Sequence, residues 1–122
     1  MDTFVATFVG QPPMNLLPLR DPSLPTGTLV GFRPEHLLPR SVFAAGEDLV
    51  TFRFAVRRVE YLGSDRYVYG AVMESAAPDA TIIAKLPGTI PLTIPEGETH
   101  EFAVPRRLLR YFDADTGLRR RP

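Results

Sequence analysis

The sequence predicts an all-β fold, a small closed barrel with a short helical segment towards its end. Thirteen prolines and nine glycines interrupt the 122 residues every few positions. An internal proline loses a hydrogen bond and clashes with the preceding turn, so long helices are not expected. Short apolar runs lie between these turn residues, and one long run alternates apolar and polar side chains, as a strand with one buried face does.

Length and composition predict one folded domain. A chain of 122 residues, of which 44% are hydrophobic and 23% charged, can bury one core. The lack of cysteine excludes disulfides, thiolate metal sites and cysteine nucleophiles. A formal net charge of +0 argues against a general nucleic-acid binder. Prolines break the apolar run in the first twenty residues, so we expect neither a signal peptide nor a membrane span there.

The longest predicted strand is Leu49–Leu62, the main wall of the barrel. The buried face of its first half is predicted to contain Val50, Phe52, Phe54 and Val56. The apolar residues change parity at Arg57-Arg58, which predicts a β-bulge or a strong bend. Turn residues at 63–65 then predict a hairpin with the following strand.

Shorter elements complete the predicted barrel. Residues 28–32, 80–86 and 100–104 are predicted strands, and residues 106–112 form either one helical turn or a last strand. The proline-rich residues 12–25 are predicted to be an extended linker. Closure removes exposed strand edges, so short strands beside a long bent hairpin favour an OB-like barrel.

The residue inventory predicts a chain that is not an enzyme and holds no metal or cofactor. A phosphate-binding loop needs a glycine-rich turn that ends in lysine and serine or threonine. The only lysine, Lys85, is followed by Leu-Pro-Gly instead. His36 and His100 are the only histidines, too few for a three-histidine zinc site and poorly suited to a hydrolytic triad.

Two sets of residues are candidates for contacts. In the segment Arg33-Pro34-Glu35-His36, either Arg33 and Glu35 pair locally in a turn, or Arg33, Glu35 and His36 form a domain or subunit contact. Aromatic and basic residues also alternate around the hairpin, as in single-strand nucleic-acid platforms. The simpler interpretation is a phenylalanine core with a solvated arginine face. Arg53 and Arg66 in that region are the candidate contacts for a small ligand.

Five motifs give the chain a recognisable order. They are FVATFVGQPPMNLLP, GFRPEHL, VEYLGSDRYVY, KLPG and YFDADTG. In this order they resemble the C-terminal region of the ATP-binding subunits of sugar-type ABC importers, the maltose and glycerol-3-phosphate group. The resemblance implies a TOBE-type, OB-like barrel over residues 16–118. It also implies that residues 1–15 are a remnant of the ATPase domain and that residues 119–122 are a basic tail.

The resemblance further implies a regulatory and dimerising role. In that family the appended barrels pair across the ATPase homodimer, at the cytoplasmic face of the inner membrane and in complex with membrane subunits. ATP and Mg²⁺ would bind the upstream ATPase domain, leaving this chain without a cofactor. One alternative is a sensor that binds an oxyanion or sugar phosphate through Arg33, Arg53 or Arg66. Another is a free-standing OB-fold nucleic-acid binder, which the neutral charge disfavours.

Overall fold

The computed structural model describes residues 14–19, 27–77, 79–91 and 93–113, together with the backbone of residues 119–120. Within these residues the chain forms nine strands and three single turns of 3₁₀ helix. The strands are β1 (Asn15–Leu17), β2 (Thr28–Phe32), β3 (Leu38–Pro39), β4 (Leu49–Leu62), β5 (Asp65–Val72), β6 (Ile82–Leu86), β7 (Thr99–Pro105), β8 (Arg110–Asp113) and β9 (Arg119–Arg120). The 3₁₀ turns are Pro34–His36, Arg40–Val42 and Arg106–Leu108.

The strands form two antiparallel sheets that enclose the core. One sheet has the order β1-β2-β8-β9, and the other has the order β3-β7-β4-β5-β6. The first half of β4, residues 49–55, pairs with β7. β4 pairs with β5 from Phe54 onwards, so its second half pairs with β5 alone. This long central strand curls the five-stranded sheet into half a barrel. The prediction of an all-β, OB-like fold is confirmed.

The bulge in β4 lies where the sequence predicts it. The register with β5 shifts between Val56 and Arg58. A loop on the other side of β4 follows the bend, because the Val56 amide donates to the Glu98 carbonyl and the Gly97 amide donates to the Val56 carbonyl, both at 2.8 Å. The amide of Val59 donates to Oε2 of Glu96 at 3.0 Å. Backbone and side-chain groups of residues 96–98 thus continue the pairing of this edge of β4 past Ala55↔Thr99, where its pairing with β7 ends.

The core lies between the two sheets and is built on phenylalanine. Phe52 and Phe54 of β4 are fully buried, as the alternation predicts, and Val56 is buried beside them. Phe52 stacks on Phe32 of β2 with ring centroids 5.7 Å apart. Phe54 meets Phe102 of β7 edge to face at 5.0 Å. Aromatic pairs in these geometries add to the free energy of simple burial. Val50, the fourth residue of the predicted face, is only half-buried.

The structure adds detail to three local predictions. Part of the predicted linker is strand β1, whose residues pair with β2 from Asn15↔Phe32 to Leu17↔Val30. Residues 106–112 hold both of the predicted alternatives, a 3₁₀ turn at Arg106–Leu108 followed by β8. Two residues of the predicted basic tail form β9 and pair with β8. Paired backbone groups stabilise these short segments although their side-chain patterns are weak.

The predicted domain boundary after residue 15 falls within β1. Residues 1–13, which contain most of the predicted ATPase remnant, lie outside the described residues. The division of the chain into residues 1–15, 16–118 and 119–122 therefore stays a prediction.

Candidate functional site

The segment predicted as a contact point is a tight turn between β2 and β3. Arg33 has an extended backbone, and Pro34 then begins a 3₁₀ turn with its fixed φ already suited to it. The His36 amide donates to the Arg33 carbonyl at 3.0 Å. Pro34 is buried, Glu35 is exposed, and Arg33 and His36 are half-buried. Among the described ion pairs none joins Arg33 to Glu35, so the turn forms without the local pair that the sequence suggested.

A small cleft opens beside this turn. It has a volume of about 220 Å³ and is lined by Glu35, Leu38, Asp65, Lys85 and Pro87. Nζ of Lys85 lies 3.8 Å from Oδ2 of Asp65, which leaves the carboxylate of Glu35 as the uncompensated charge of the lining. The cleft is therefore suited to a basic group. Of the three predicted contact residues, Glu35 is the one that reaches it.

The two arginines predicted as ligand contacts lie apart. Arg53 is on the exposed face of β4, where its Nε donates to Oε2 of Glu74 at 3.0 Å. Arg66 is 9% exposed and donates from Nη2 to the Ile90 carbonyl at 2.6 Å. They lie near opposite ends of β5, which places them about 20 Å apart at ~3.3 Å per residue. The structure does not bring them together around one small ligand.

Arg66 is buried, although the sequence analysis expected the arginines to form a solvated face. Phe52 and Phe54 are in the core and Arg53, Arg57 and Arg58 are exposed, in agreement with that interpretation. Arg66 instead lies under the connection between β6 and β7 and holds it through Ile90. A charged hydrogen bond to a partly buried carbonyl stabilises that connection by more than a neutral bond would.

Two residues of the sequence motifs have structural roles that the sequence analysis did not predict. Asn15 is 5% exposed, and its side-chain amide hydrogen-bonds Ile83 of the other sheet. Gly31 lies where a Cβ atom would come within 2.8 to 3.0 Å of the ends of the Met14, Leu16 and Phe112 side chains. Asn15 could have been noticed as the one polar residue in the apolar run Met-Asn-Leu-Leu. No local sequence pattern identifies Gly31, because the side chains around it come from distant parts of the chain.

Within the described part of the chain, no group of three or more histidine, cysteine, aspartate or glutamate side chains is placed to hold a metal ion. No helix in that part has the length and hydrophobicity to cross a membrane.

This chain is similar in sequence to one part of several longer proteins. No protein-family model matches it. It is 36% identical to the sn-glycerol-3-phosphate import ATP-binding protein UgpC of Rhodopseudomonas palustris over 137 residues, covering 98% of this chain and 36% of the relative. Identity to UgpC of Cereibacter sphaeroides is 33% over 132 residues, covering 96% and 35%. It is 27% identical to the trehalose import ATP-binding protein SugC of Mycobacterium tuberculosis over 157 residues. The chain spans about a third of the length of these curated relatives.

Proposed function

The chain is homologous to the ATP-binding subunits of sugar importers, and we propose that it is their non-catalytic C-terminal regulatory and dimerisation domain, of the TOBE type. The observation that carries the proposal is the uneven coverage, 96% of this chain against 35% of the relative. A segment that matches throughout, yet leaves two thirds of the relative unmatched, corresponds to one domain of a larger subunit. The fold supports this assignment because it buries a complete core of its own.

In this proposal, ATP is hydrolysed by another domain of the subunit and not by this chain. The single lysine, Lys85, lies in β6 opposite Tyr67 of β5 and near Asp65. A lysine in a regular strand cannot reach nucleotide phosphates as a P-loop lysine does at the start of a helix. ATP and Mg²⁺ would therefore bind upstream, and purified chain should hydrolyse no ATP. Turnover by the chain alone, free of contaminating ATPase, would contradict the proposal.

The proposed partners are a second copy of the same subunit, the adjoining ATPase domain and, through it, the membrane subunits at the cytoplasmic face. The acidic cleft at Glu35 supports a contact of this kind, because an exposed, uncompensated carboxylate beside a rigid turn suits a basic partner group. Symmetric subunits use one such surface on each copy, so a single patch can serve both partners.

Sedimentation of the importer subunit tests the dimerisation role. Deleting residues 16–122 should shift the subunit from dimer to monomer at micromolar concentration. In the intact subunit, Glu35→Lys should weaken the domain or subunit contact, whereas Thr51→Lys, an exposed position on β4, is the matched control. A subunit that stays dimeric after the deletion would overturn the dimerisation role. Equal effects of the two lysine variants would exclude the Glu35 cleft as the contact.

A further inference from the structure

A second and larger cavity lies where β3 leaves β7. β3 pairs with β7 only at Leu38↔Ala103 and Pro39↔Phe102, after which the chain turns away into the 3₁₀ turn Arg40–Val42. The edge of β7 beyond Phe102 is therefore left without a strand on that side. The gap is a cavity of about 420 Å³, within the range of about 300–1,000 Å³ that is usual for small-molecule sites.

The cavity combines an apolar floor with hydrogen-bonding groups of both kinds. Its lining consists of Pro39, Arg40, Ser41, Thr93, Ile94, His100, Glu101 and Phe102. Phe102, Ile94 and Pro39 are buried and supply the apolar surface. Arg40 is a donor, the Ser41 and Thr93 hydroxyls both donate and accept, and Glu101 at the exposed rim is an acceptor.

His100 provides an observation that points to a ligand. Its Nε2 atom is buried and has no hydrogen-bond partner. Oε1 of Glu98 lies 3.2 Å from Nε2, but the geometry of this contact is not that of a hydrogen bond. A buried polar atom without a partner is uncommon and costs about 1–3 kcal/mol. A small rotation of the imidazole towards the cavity would let a bound molecule supply the missing partner.

The charges around the cavity decide the class of ligand. Arg40 is the one arginine or lysine of the lining, while Glu101 belongs to the lining and Glu98 is beside His100. Arg53, opposite Glu101 in the pairing of β4 with β7, is already bound to Glu74. The cation is thus balanced by carboxylates, and a dianion such as a phosphate ester would meet them at close range. A neutral molecule with several hydroxyl groups needs both donors and acceptors and can lay its CH groups on an apolar floor.

We propose that this cavity binds a neutral polyol of about monosaccharide size. The site is separate from the Glu35 cleft and from Arg66, whereas Arg53 lies opposite the rim residue Glu101 in the pairing of β4 with β7. It does not depend on the proposed dimerisation, because every lining residue comes from one copy of the chain. Ligand binding here would connect the turn Arg40–Val42 to the loop that contains Thr93 and Ile94, two segments that no strand pairing joins.

Amide NMR of the 122-residue chain tests the site with three probes, D-glucose, inorganic phosphate and glycine. Glucose should shift the amide signals of Thr93, Ile94 and Glu101 saturably, and phosphate and glycine should not. His100→Phe keeps an aromatic ring and removes both ring nitrogens, so it should weaken glucose binding about tenfold. Ser41→Ala, at an exposed position, should weaken it about threefold with little risk to folding. Tyr61→Ala, at an exposed position near the far end of β4 and outside the lining, should bind as the unmodified chain does.

Absence of a saturable glucose shift, or binding of phosphate or glycine alone, would overturn the proposal. Unchanged binding in both cavity variants would do the same. The spectra themselves show whether His100→Phe is folded, and if it is not, the Ser41→Ala result decides. Sedimentation of the intact subunit keeps this outcome distinct from the dimerisation role, since glucose binding by the chain would support the cavity whether or not the deletion makes the subunit monomeric.

Discussion

Asn15 and Ile83 bind each other across the two sheets as neighbouring strand residues would. Nδ2 of Asn15 donates to the Ile83 carbonyl at 2.8 Å, and Oδ1 accepts from the Ile83 amide at 2.9 Å. Asn15 belongs to β1, at the edge of the four-stranded sheet, and Ile83 belongs to β6, at the edge of the five-stranded sheet. The side-chain amide thus satisfies an edge that would otherwise present open backbone groups.

Replacing Asn15 should separate these edges. Asn15→Ala leaves the amide and the carbonyl of Ile83 without partners, and the expected loss is about 2 kcal/mol in the free energy of unfolding. Thr51→Ala, at an exposed site on β4, should change that free energy by no more than about 0.5 kcal/mol. Urea unfolding followed by circular dichroism measures both. If the two variants have the same midpoint and slope, the Asn15–Ile83 pair does not hold the sheets together.

Two strand glycines should differ in their tolerance of alanine. A Cβ at Gly70 would overlap the backbone carbonyl of Ala55, opposite the β4 bulge, whereas a Cβ at Gly31 meets only side-chain atoms, which can shift more easily than backbone. We expect Gly70→Ala to destabilise the protein by about 3 kcal/mol and Gly31→Ala by about 1 kcal/mol, since overpacking costs more where nothing can move. Thermal unfolding of both variants measures the difference. Equal melting temperatures would show that the backbone at the bulge shifts to admit a Cβ atom as easily as the side chains around Gly31 do.

Sequence alone predicted the features that repeat along a strand. Burial of one face imposes a period of two, so Phe52, Phe54 and Val56 of β4 were found by alternation. The parity change that follows predicted the bulge at Arg57-Arg58, which the register confirms. The hairpin at residues 63–65 was predicted from its turn residues and is also confirmed.

Features that depend on distant partners were not predictable in this way. Asn15 is 68 residues from Ile83, and no local pattern links them. Arg66 has the same charge as its exposed neighbours, and only the path of the connection at Ile90 makes it a buried support. The cavity at His100 exists because β3 ends after two residues, which follows from Pro39 and the turn after it in three dimensions. Such sites depend on which strands meet, and local propensity does not determine that.

The contact between Arg53 and Glu74 should be asymmetric in its energetics. Oε2 of Glu74 accepts from Nε of Arg53, while Oε1 accepts from the Arg53 backbone amide, each at 3.0 Å. The Arg53 side chain is 67% exposed, so its ion pair should add no more than about 0.5 kcal/mol. Glu74→Ala also removes the partner of a strand amide, and we expect it to cost about 1.5 kcal/mol.

Chemical unfolding of Arg53→Ala and Glu74→Ala, with the double variant, measures these terms. The double variant should resemble Glu74→Ala, because the arginine side chain has little left to contribute once the carboxylate is gone. A larger loss for Arg53→Ala than for Glu74→Ala would show that the ion pair, and not the bond to the backbone amide, carries the contact.

Tyr69 should titrate at high pH and make stability depend on pH there. Burial, the hydrogen bond from its hydroxyl to Oε1 of Glu60 at 3.0 Å and the negative charge of Glu60 raise the pKa of Tyr69 above 10.0. The Arg58 guanidinium, 4.3 Å from the ring centroid, opposes this rise in the pKa. Because the folded state holds the proton more tightly, the stabilisation is present below the unfolded pKa of about 10 and is lost as pH rises through the folded pKa.

Substitution of the two charged neighbours should move this titration in opposite directions. Glu60→Gln keeps an oxygen acceptor and removes the charge, so the pKa of Tyr69 should fall towards 10.0. Arg58→Gln removes a nearby cation, so the pKa should rise further. Ultraviolet absorbance of tyrosinate follows the titration, and Tyr69→Phe identifies the step by removing it. Shifts of the same sign in both variants would mean that solvent exposure, and not the charges of Glu60 and Arg58, controls the proton on Tyr69.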